Sequence, residues 1–117
     1  MDLYLDHLRR CQLNDCLIGA CRAGHLALAQ FCVDQGANDW NLGLRGACWG
    51  GHMDLAQFCA ARGANDWNGG LRLACLDGHL TIAQFCVDKG ANDWDQALEV
   101  ARTEEVREWI RQQVQQN

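Results

Sequence analysis

The chain has 117 residues, the length of a single domain. Hydrophobic residues make up 49 % of it and charged residues 21 %, proline is absent and the net charge is −5, so the composition excludes a disordered chain and a basic nucleic-acid-binding protein. No apolar run approaches the ~20 residues that span a bilayer, so we expect no membrane partner.

The N-terminal segment, MDLYLDHLRR, has charges throughout and no apolar core. We therefore expect no signal peptide and a reducing, cytoplasmic compartment in which the eight cysteines stay free thiols. Cys11 and Cys16 fall outside any regular spacing. The other cysteines recur every 27 residues, which indicates the same structural position in each copy of a repeat: Cys21, Cys48 and Cys75, and then Cys32, Cys59 and Cys86.

The repeat is marked by the pentapeptide GANDW, which begins at Gly36, Gly63 and Gly90 with a constant spacing of 27 residues. Three ungapped copies cover residues 14–40, 41–67 and 68–94. Residues 1–13 are expected to form an N-terminal half-repeat cap, and residues 95–117 a C-terminal capping repeat, because the terminal repeats of a stack need polar outer faces. The whole chain, residues 1–117, is predicted to be one repeat domain.

Each copy predicts two short helices joined by tight turns. In the second copy Asp39 is a good N-cap residue, and the apolar residues from Trp40 onward recur at helical spacing. A second helix is expected from Met53 to about Arg62, with Gly63 ending it in a positive-φ conformation. Helices this short are unstable alone in water, so each pair must bury its apolar face against the next pair. The N-caps of the following copies are Asp66 and Asp93.

The last segment, RTEEVREWIRQQVQQN, predicts an amphipathic capping helix. Thr103 is its candidate N-cap. Its expected apolar stripe consists of Val106, Trp109, Ile110 and Val114.

Leu71–Asn92, LRLACLDGHLTIAQFCVDKGAN, resembles the core of an ankyrin repeat, and the resemblance recurs in all three copies. It implies an all-α, ankyrin-like helix-turn-helix solenoid with capping helices at both ends. The Thr-Pro of the family is absent, and the repeat is about six residues shorter than the ~33 of an ordinary unit. The missing piece falls where the family builds its β-hairpin, so no hairpin is expected. The GANDWN linker is similar to that of short ankyrin-like repeats of giant DNA viruses, which implies a viral protein in the host cytoplasm.

Residues that are identical in every copy are interpreted as structural. The tryptophans of GANDW should seal the edge of the core, with Trp67 largely buried between repeats. The histidine of each Gly-His step matches the family's turn, where it ties the loop backbone together by hydrogen bonds. The invariant glutamines suggest hydrogen bonds between repeats. These glutamines are Gln30, Gln57 and Gln84.

Positions that differ between copies on the outward face of the first helices are candidates for specificity. In ankyrin stacks this face lines the groove that binds partners. Trp49 and Leu76 are large apolar residues that the core pattern does not need, and arginines flank them, a composition typical of binding hot spots. The alternative is surface drift, with Trp49 resting on a neighbouring helix. The predicted protein-binding residues are Asp15, Arg22, Leu42, Arg45, Trp49, Arg72, Leu76, Asp77 and Gln96.

The sequence contains no motif typical of an active site: a phosphate-binding loop, a GxSxG motif and paired carboxylates are all missing. We therefore expect no catalysis and no cofactor. The spacing Cys48-x3-His52, repeated in each copy, suits zinc, but the cysteines fall at core positions and we expect no metal. The prediction is a monomeric, non-enzymatic module that binds another protein. The alternatives are a Cys/His-based metal-binding or redox-responsive repeat protein, and a structural or engineered scaffold without a dedicated partner.

Overall fold

A computed structural model describes residues 3–116. Within this range the chain is all-α, with eight helices and no strand, as the sequence predicts. None of these helices combines the length and the apolar character needed to cross a bilayer. The helices are α1 Leu3–Ala23, α2 Leu26–Asp34, α3 Trp40–Gly50, α4 Met53–Ala61, α5 Trp67–Leu76, α6 Leu80–Asp88, α7 Trp94–Val100 and α8 Glu104–Gln116.

The helix contacts are consistent with a stacked helical arrangement. The first helix of each copy packs on the first helix of the next, α1 on α3, α3 on α5 and α5 on α7. Each first helix also packs on the second helix that follows it, and α8 closes against α7. The result is an elongated molecule of 55 × 23 × 23 Å.

The predicted helix starts and stops are confirmed. The carboxylates of Asp39, Asp66 and Asp93 accept hydrogen bonds from the backbone N–H three residues on, over 3.1, 3.1 and 3.2 Å. Gly51 ends α3 in the left-handed conformation, with φ 79° and ψ 30°. Gly63 follows α4 with φ 113°, a conformation that residues with a β-carbon rarely adopt.

The N-terminal region differs from the expected half-repeat. Leu3–Ala23 is one continuous helix, so the boundary expected between residues 13 and 14 lies inside α1. In the register of the repeat, the segment RRCQL (residues 9–13) takes the place of GANDW. It offers neither a glycine to end a helix nor an aspartate to begin one, and the helix therefore runs through it.

The C-terminal helix α8 begins at the predicted N-cap residue, but the last residue of its expected apolar stripe is exposed. The Thr103 hydroxyl accepts a hydrogen bond from the Val106 N–H over 3.3 Å, which confirms Thr103 as the N-cap. Val106 and Ile110 are buried, whereas Val114, expected in the same apolar stripe, is 48 % exposed. Val114 instead lines an open groove with Trp94 and Leu98 of α7, which leaves much of its side chain in solvent.

Asparagine side chains join each copy to the next. Asn41 in the first turn of α3 accepts hydrogen bonds through Oδ1 from the backbone N–H groups of Asn65 and Asp66, at 2.7 and 2.9 Å. Asn14 and Asn68 make the same pair of bonds to the turns that follow them, at 2.8 and 3.0 Å in each case. The turns of GANDW are therefore held by a residue 24 or 25 positions earlier in the chain.

The invariant glutamines do not form the expected ladder between repeats. Gln30 donates to Asp34 of its own helix over 2.8 Å, and Gln84 donates to Asp88 over 3.0 Å. This is the four-residue spacing at which side chains meet on one helix face. The prediction assigned the connecting hydrogen bonds to the wrong amide.

The tryptophans of GANDW are partly buried rather than enclosed. Trp67 packs against the core and places its ring edge-on to Phe85, with centroids 5.6 Å apart. Trp94 meets Trp109 of α8 in the same way, at 6.1 Å. Trp67 therefore packs against the core, as predicted, without being fully enclosed by it.

We call the pair of hydrogen bonds from each asparagine to the next GANDW turn an asparagine joint, and Asn41→Ala tests it. The change removes the acceptor of two backbone N–H groups, and we expect it to lower the free energy of unfolding by about 1–2 kcal/mol. Asp95→Ala is the matched control, since Asp95 is at the equivalent position of the last copy, where the described residues 3–116 show no such bonds. The measurement is urea denaturation. Equal losses in the two variants would contradict the joint.

Leu55→Ala and Leu28→Ala test the stacking at one repeat position. Leu55 is fully buried, whereas Leu28, at the same position of the first copy, is 41 % exposed, since no earlier copy lies beside it among residues 3–116. We expect a loss of about 3 kcal/mol for Leu55→Ala and about 1 kcal/mol for Leu28→Ala. Chemical denaturation of both variants measures the difference, and similar losses would mean that the neighbouring copy does not bury this position.

Candidate functional site

The predicted binding residues other than Asp77, which directly follows α5, lie on the first helices, where three- and four-residue spacings put them on one side of each helix. None of the nine belongs to the buried core. Asp15, Arg22, Asp77 and Gln96 are exposed. The other members are partly buried, namely Leu42, Arg45, Trp49, Arg72 and Leu76. We call this surface the first-helix face.

Trp49 and Arg22 are in direct contact at the middle of this face. The Arg22 guanidinium carbon lies 3.5 Å from the centroid of the Trp49 ring, the geometry of a cation–π interaction. Trp49 therefore rests partly on a neighbouring helix, as the alternative interpretation proposed, while its ring and the exposed arginine still form one accessible surface.

Glycines bring the two helices close enough for that contact. A β-carbon at Gly46 would lie 2.7 Å from the Ile18 carbonyl oxygen, and one at Gly50 would collide with the Arg22 carbonyl. Gly50 is required by the close approach of α3 to the end of α1, which also brings Arg22 next to Trp49.

Arg45 is engaged by the neighbouring copy. Its Nε lies 3.7 Å from Oδ2 of Asp66, and the same nitrogen donates to the Asn41 carbonyl oxygen over 3.4 Å. The aliphatic part of the Arg45 side chain also lies over Gly69, where a β-carbon would be 3.1 Å from the Arg45 Cδ. A partly exposed ion pair of this kind contributes little stability, but it orients the guanidinium toward the N-terminus of α5. Arg45 is therefore less available to a partner than Arg22.

The far end of the face forms a shallow pocket. Leu76 and Asp77 line it together with Arg102, Thr103 and Val106, and its volume is about 240 Å³. Asp77 is the C-cap residue of α5 rather than a helical position. Asp15 and Gln96 lie at the two ends of the face, and within residues 3–116 no side-chain hydrogen bond or ion pair connects them to the other members.

The cysteines proposed as zinc ligands are core residues. Cys48 and Cys75 are fully buried free thiols. Burial raises the pKa of Cys75 to about 12, and a hydrogen bond with Cys86 together with burial raises that of Cys48. Since the thiolate is the form that binds metal or attacks carbon, both positions are chemically quiet at neutral pH.

The histidines of the Gly-His steps pack differently from the expectation. His25, His52 and His79 precede the second helices but make no side-chain hydrogen bond to them. The His52 ring lies against Gly24 instead, where a β-carbon would be 2.6 Å from Cε1, and His79 lies in the same way against Gly51. The imidazoles of His52 and His79 thus cover the turn of the preceding copy. Over the described part of the chain, no group of three His, Cys, Asp or Glu side chains has the geometry to hold a metal ion.

Two pairs of cysteines are in contact between neighbouring copies, which the spacing of the cysteines in the sequence did not reveal. Cys21 of α1 lies 4.0 Å from Cys59 of α4, and Cys48 of α3 lies 3.8 Å from Cys86 of α6, measured between sulfurs. Each pair joins the first helix of one copy to the second helix of the next. These sulfurs act as packing atoms between copies.

The chain was compared with protein-family models and with curated protein sequences, and it matches none of them. The resemblance to ankyrin repeats therefore rests on the repeated segments themselves, namely the LACLDGHLTIAQFCVDKGAN type of unit and its GANDW turn.

Proposed function

We propose that this chain is an ankyrin-like solenoid that binds another protein, without catalysis, through the first-helix face. The observation that carries the proposal is the contact of Arg22 with Trp49. It puts a large aromatic ring and an exposed guanidinium side by side on a surface whose residues change from copy to copy. Aromatic and arginine side chains at such a position are the common anchors of protein interfaces.

The constancy of the frame supports the same proposal. The Asn joints, the Asp caps and the buried Leu, Ala and Cys positions recur in every copy, whereas the first-helix face carries Asp15, Leu42 and Gln96 at one repeated position. A surface that varies on a fixed frame can specify a partner at little cost in stability. The partner would offer an apolar group to Trp49 and an acceptor to Arg22.

The face is short, so the interface would be near or below the standard ~1,600 Å². We propose that the protein acts as a monomer in the cytoplasm. If the resemblance to viral repeats reflects its origin, this is the cytoplasm of a host cell.

A binding titration tests the proposal. A displayed peptide library is selected on the immobilised wild-type chain, and an enriched peptide is titrated calorimetrically against variants. We expect Trp49→Ala to weaken binding about 30-fold, about 2 kcal/mol, because the anchor is lost. Its melting temperature should fall by only a few degrees, since Trp49 is partly buried.

Gln57→Ala is the control, since Gln57 is exposed on α4, away from the first helices. It should leave the affinity unchanged. If the affinity falls with Gln57→Ala and not with Trp49→Ala, the peptide uses the second helices and the assignment of the face is wrong. Unfolding of Trp49→Ala in the thermal melt would make Trp49 a packing residue and would remove the main support for the site.

A further inference from the structure

Cys16 and Cys32 form the closest thiol pair described. Their sulfurs are 3.0 Å apart, with Cys32 donating its thiol hydrogen, compared with 3.8 and 4.0 Å in the two pairs that cross between copies. Cys16 lies on α1 and Cys32 on α2, so this pair links the two helices of a single copy. Cys16 is partly exposed, whereas Cys32 is fully buried.

The register of the repeat explains why the two thiols meet. Cys16 occupies the position that is Gly43 in the second copy and Gly70 in the third. A β-carbon at Gly43 would lie 2.8 Å from the Cys59 sulfur, and one at Gly70 would lie 3.0 Å from the Cys86 sulfur. The position therefore faces the second-helix cysteine in each copy, and only in the first copy does it carry a side chain that can react.

The first copy also has room for that side chain. Cys59 and Cys86 have their sulfurs near cysteines of the preceding copy, whereas within the described chain no copy precedes Cys32. Gly19, which is equivalent to the tightly packed Gly46, has no atom within 4 Å of a β-carbon position. The start of the stack is thus less crowded, and Cys16 is partly exposed there, whereas both thiols of each of the other two pairs are buried.

We propose that Cys16 and Cys32 are a site of oxidative modification, at which a small soluble disulfide forms an intramolecular disulfide between α1 and α2. The Cys16 thiolate attacks one sulfur of the reagent, whose sulfur–sulfur bond breaks and releases the first thiol. The Cys32 thiolate then attacks the Cys16 sulfur and displaces the second thiol. The two protein thiols lose two electrons and two protons, and the reagent gains them as two thiols.

The order of the two attacks follows from access and acidity. Burial, with the hydrogen bond to Cys16, raises the pKa of Cys32 to about 11, and Cys32 does not reach solvent. Cys16 is therefore the thiol that meets the reagent. Cys32 reacts second, when the sulfur that it attacks is already in contact with it.

The bond would strengthen the part of the stack that has the least packing. Leu28 is 41 % and Phe31 57 % exposed in the first copy, whereas the equivalents of Leu28 are buried and those of Phe31 are partly buried in the later copies. Connecting α1 to α2 restricts the unfolded chain across this weak copy. We expect the melting temperature to rise by about 10 °C on oxidation and to return on reduction.

The experiment uses the full chain with Cys11→Ser, which removes the exposed thiol outside the pair. The reduced protein is incubated with oxidised glutathione, and free thiols, intact mass and a non-reduced digest are measured. We expect two thiols to be lost, a mass decrease of about 2 Da, and a crosslinked peptide containing Cys16 and Cys32. The melting temperature should rise in the oxidised Cys11→Ser protein and not in the same protein kept reduced.

Cys16→Gly in the same background is the matched control, since it restores the residue of the other copies, and Cys16→Ser serves if that variant does not fold. Neither should form a crosslink or gain stability on oxidation. The proposal is overturned if all thiols survive in the parent protein. It is also overturned if a glutathione adduct on Cys16 is the stable product, or if the crosslink joins Cys21 to Cys59.

Discussion

Each joint of the stack depends on the side-chain oxygen of one asparagine. Asn41 holds the N–H groups of Asn65 and Asp66, and this fixes the position from which the Asp66 carboxylate caps α5. Asp66 also pairs with Arg45 of the preceding copy. The helix that Asp66 starts then carries Asn68, which makes the same bonds to the next turn. The geometry is thus passed along the chain from one first helix to the next.

Small residues allow the first helices to lie close enough for these bonds. The core is made mainly of alanine and cysteine with a few leucine, isoleucine and valine side chains, and the glycines of α3 meet carbonyl groups and sulfurs of neighbouring helices. Larger side chains are at the edges, where Trp67 and Trp94 pack against aromatic rings of later helices. Tight packing explains why cysteines that might bind metal are instead buried thiols with raised pKa values.

Much of the fold follows from the sequence because its signals are local. The Asp caps, the glycines that end helices and the helical spacing of Leu44, Ala47 and Cys48 depend on residues within a few positions of each other. The length of α1 could also have been read from the sequence, since RRCQL lacks both signals of GANDW. The boundary expected between residues 13 and 14 did not take this missing turn into account.

The remaining features depend on contacts between different copies of the repeat, which no local pattern reports. Asparagine and glutamine recur equally well in the repeat, and sequence alone could not decide which amide connects the copies. The contact of Arg22 with Trp49 depends on Gly50, whose role appears only when α1 lies beside it. The candidate face was predictable as a set of varying positions, whereas the engagement of Arg45 by Asp66 was not.

A uniform joint has a consequence for how such a chain can change its length. Since Asn14, Asn41 and Asn68 make the same bonds at the same separation, a tandem duplication of 27 residues would create one more joint of the same kind. The position of the breakpoints within the repeated region does not matter. Any 27-residue segment of a periodic sequence, when duplicated, adds one whole copy. Unequal recombination could therefore lengthen or shorten the protein without disturbing its reading frame or its packing, and each added copy would extend the varying surface by one helix.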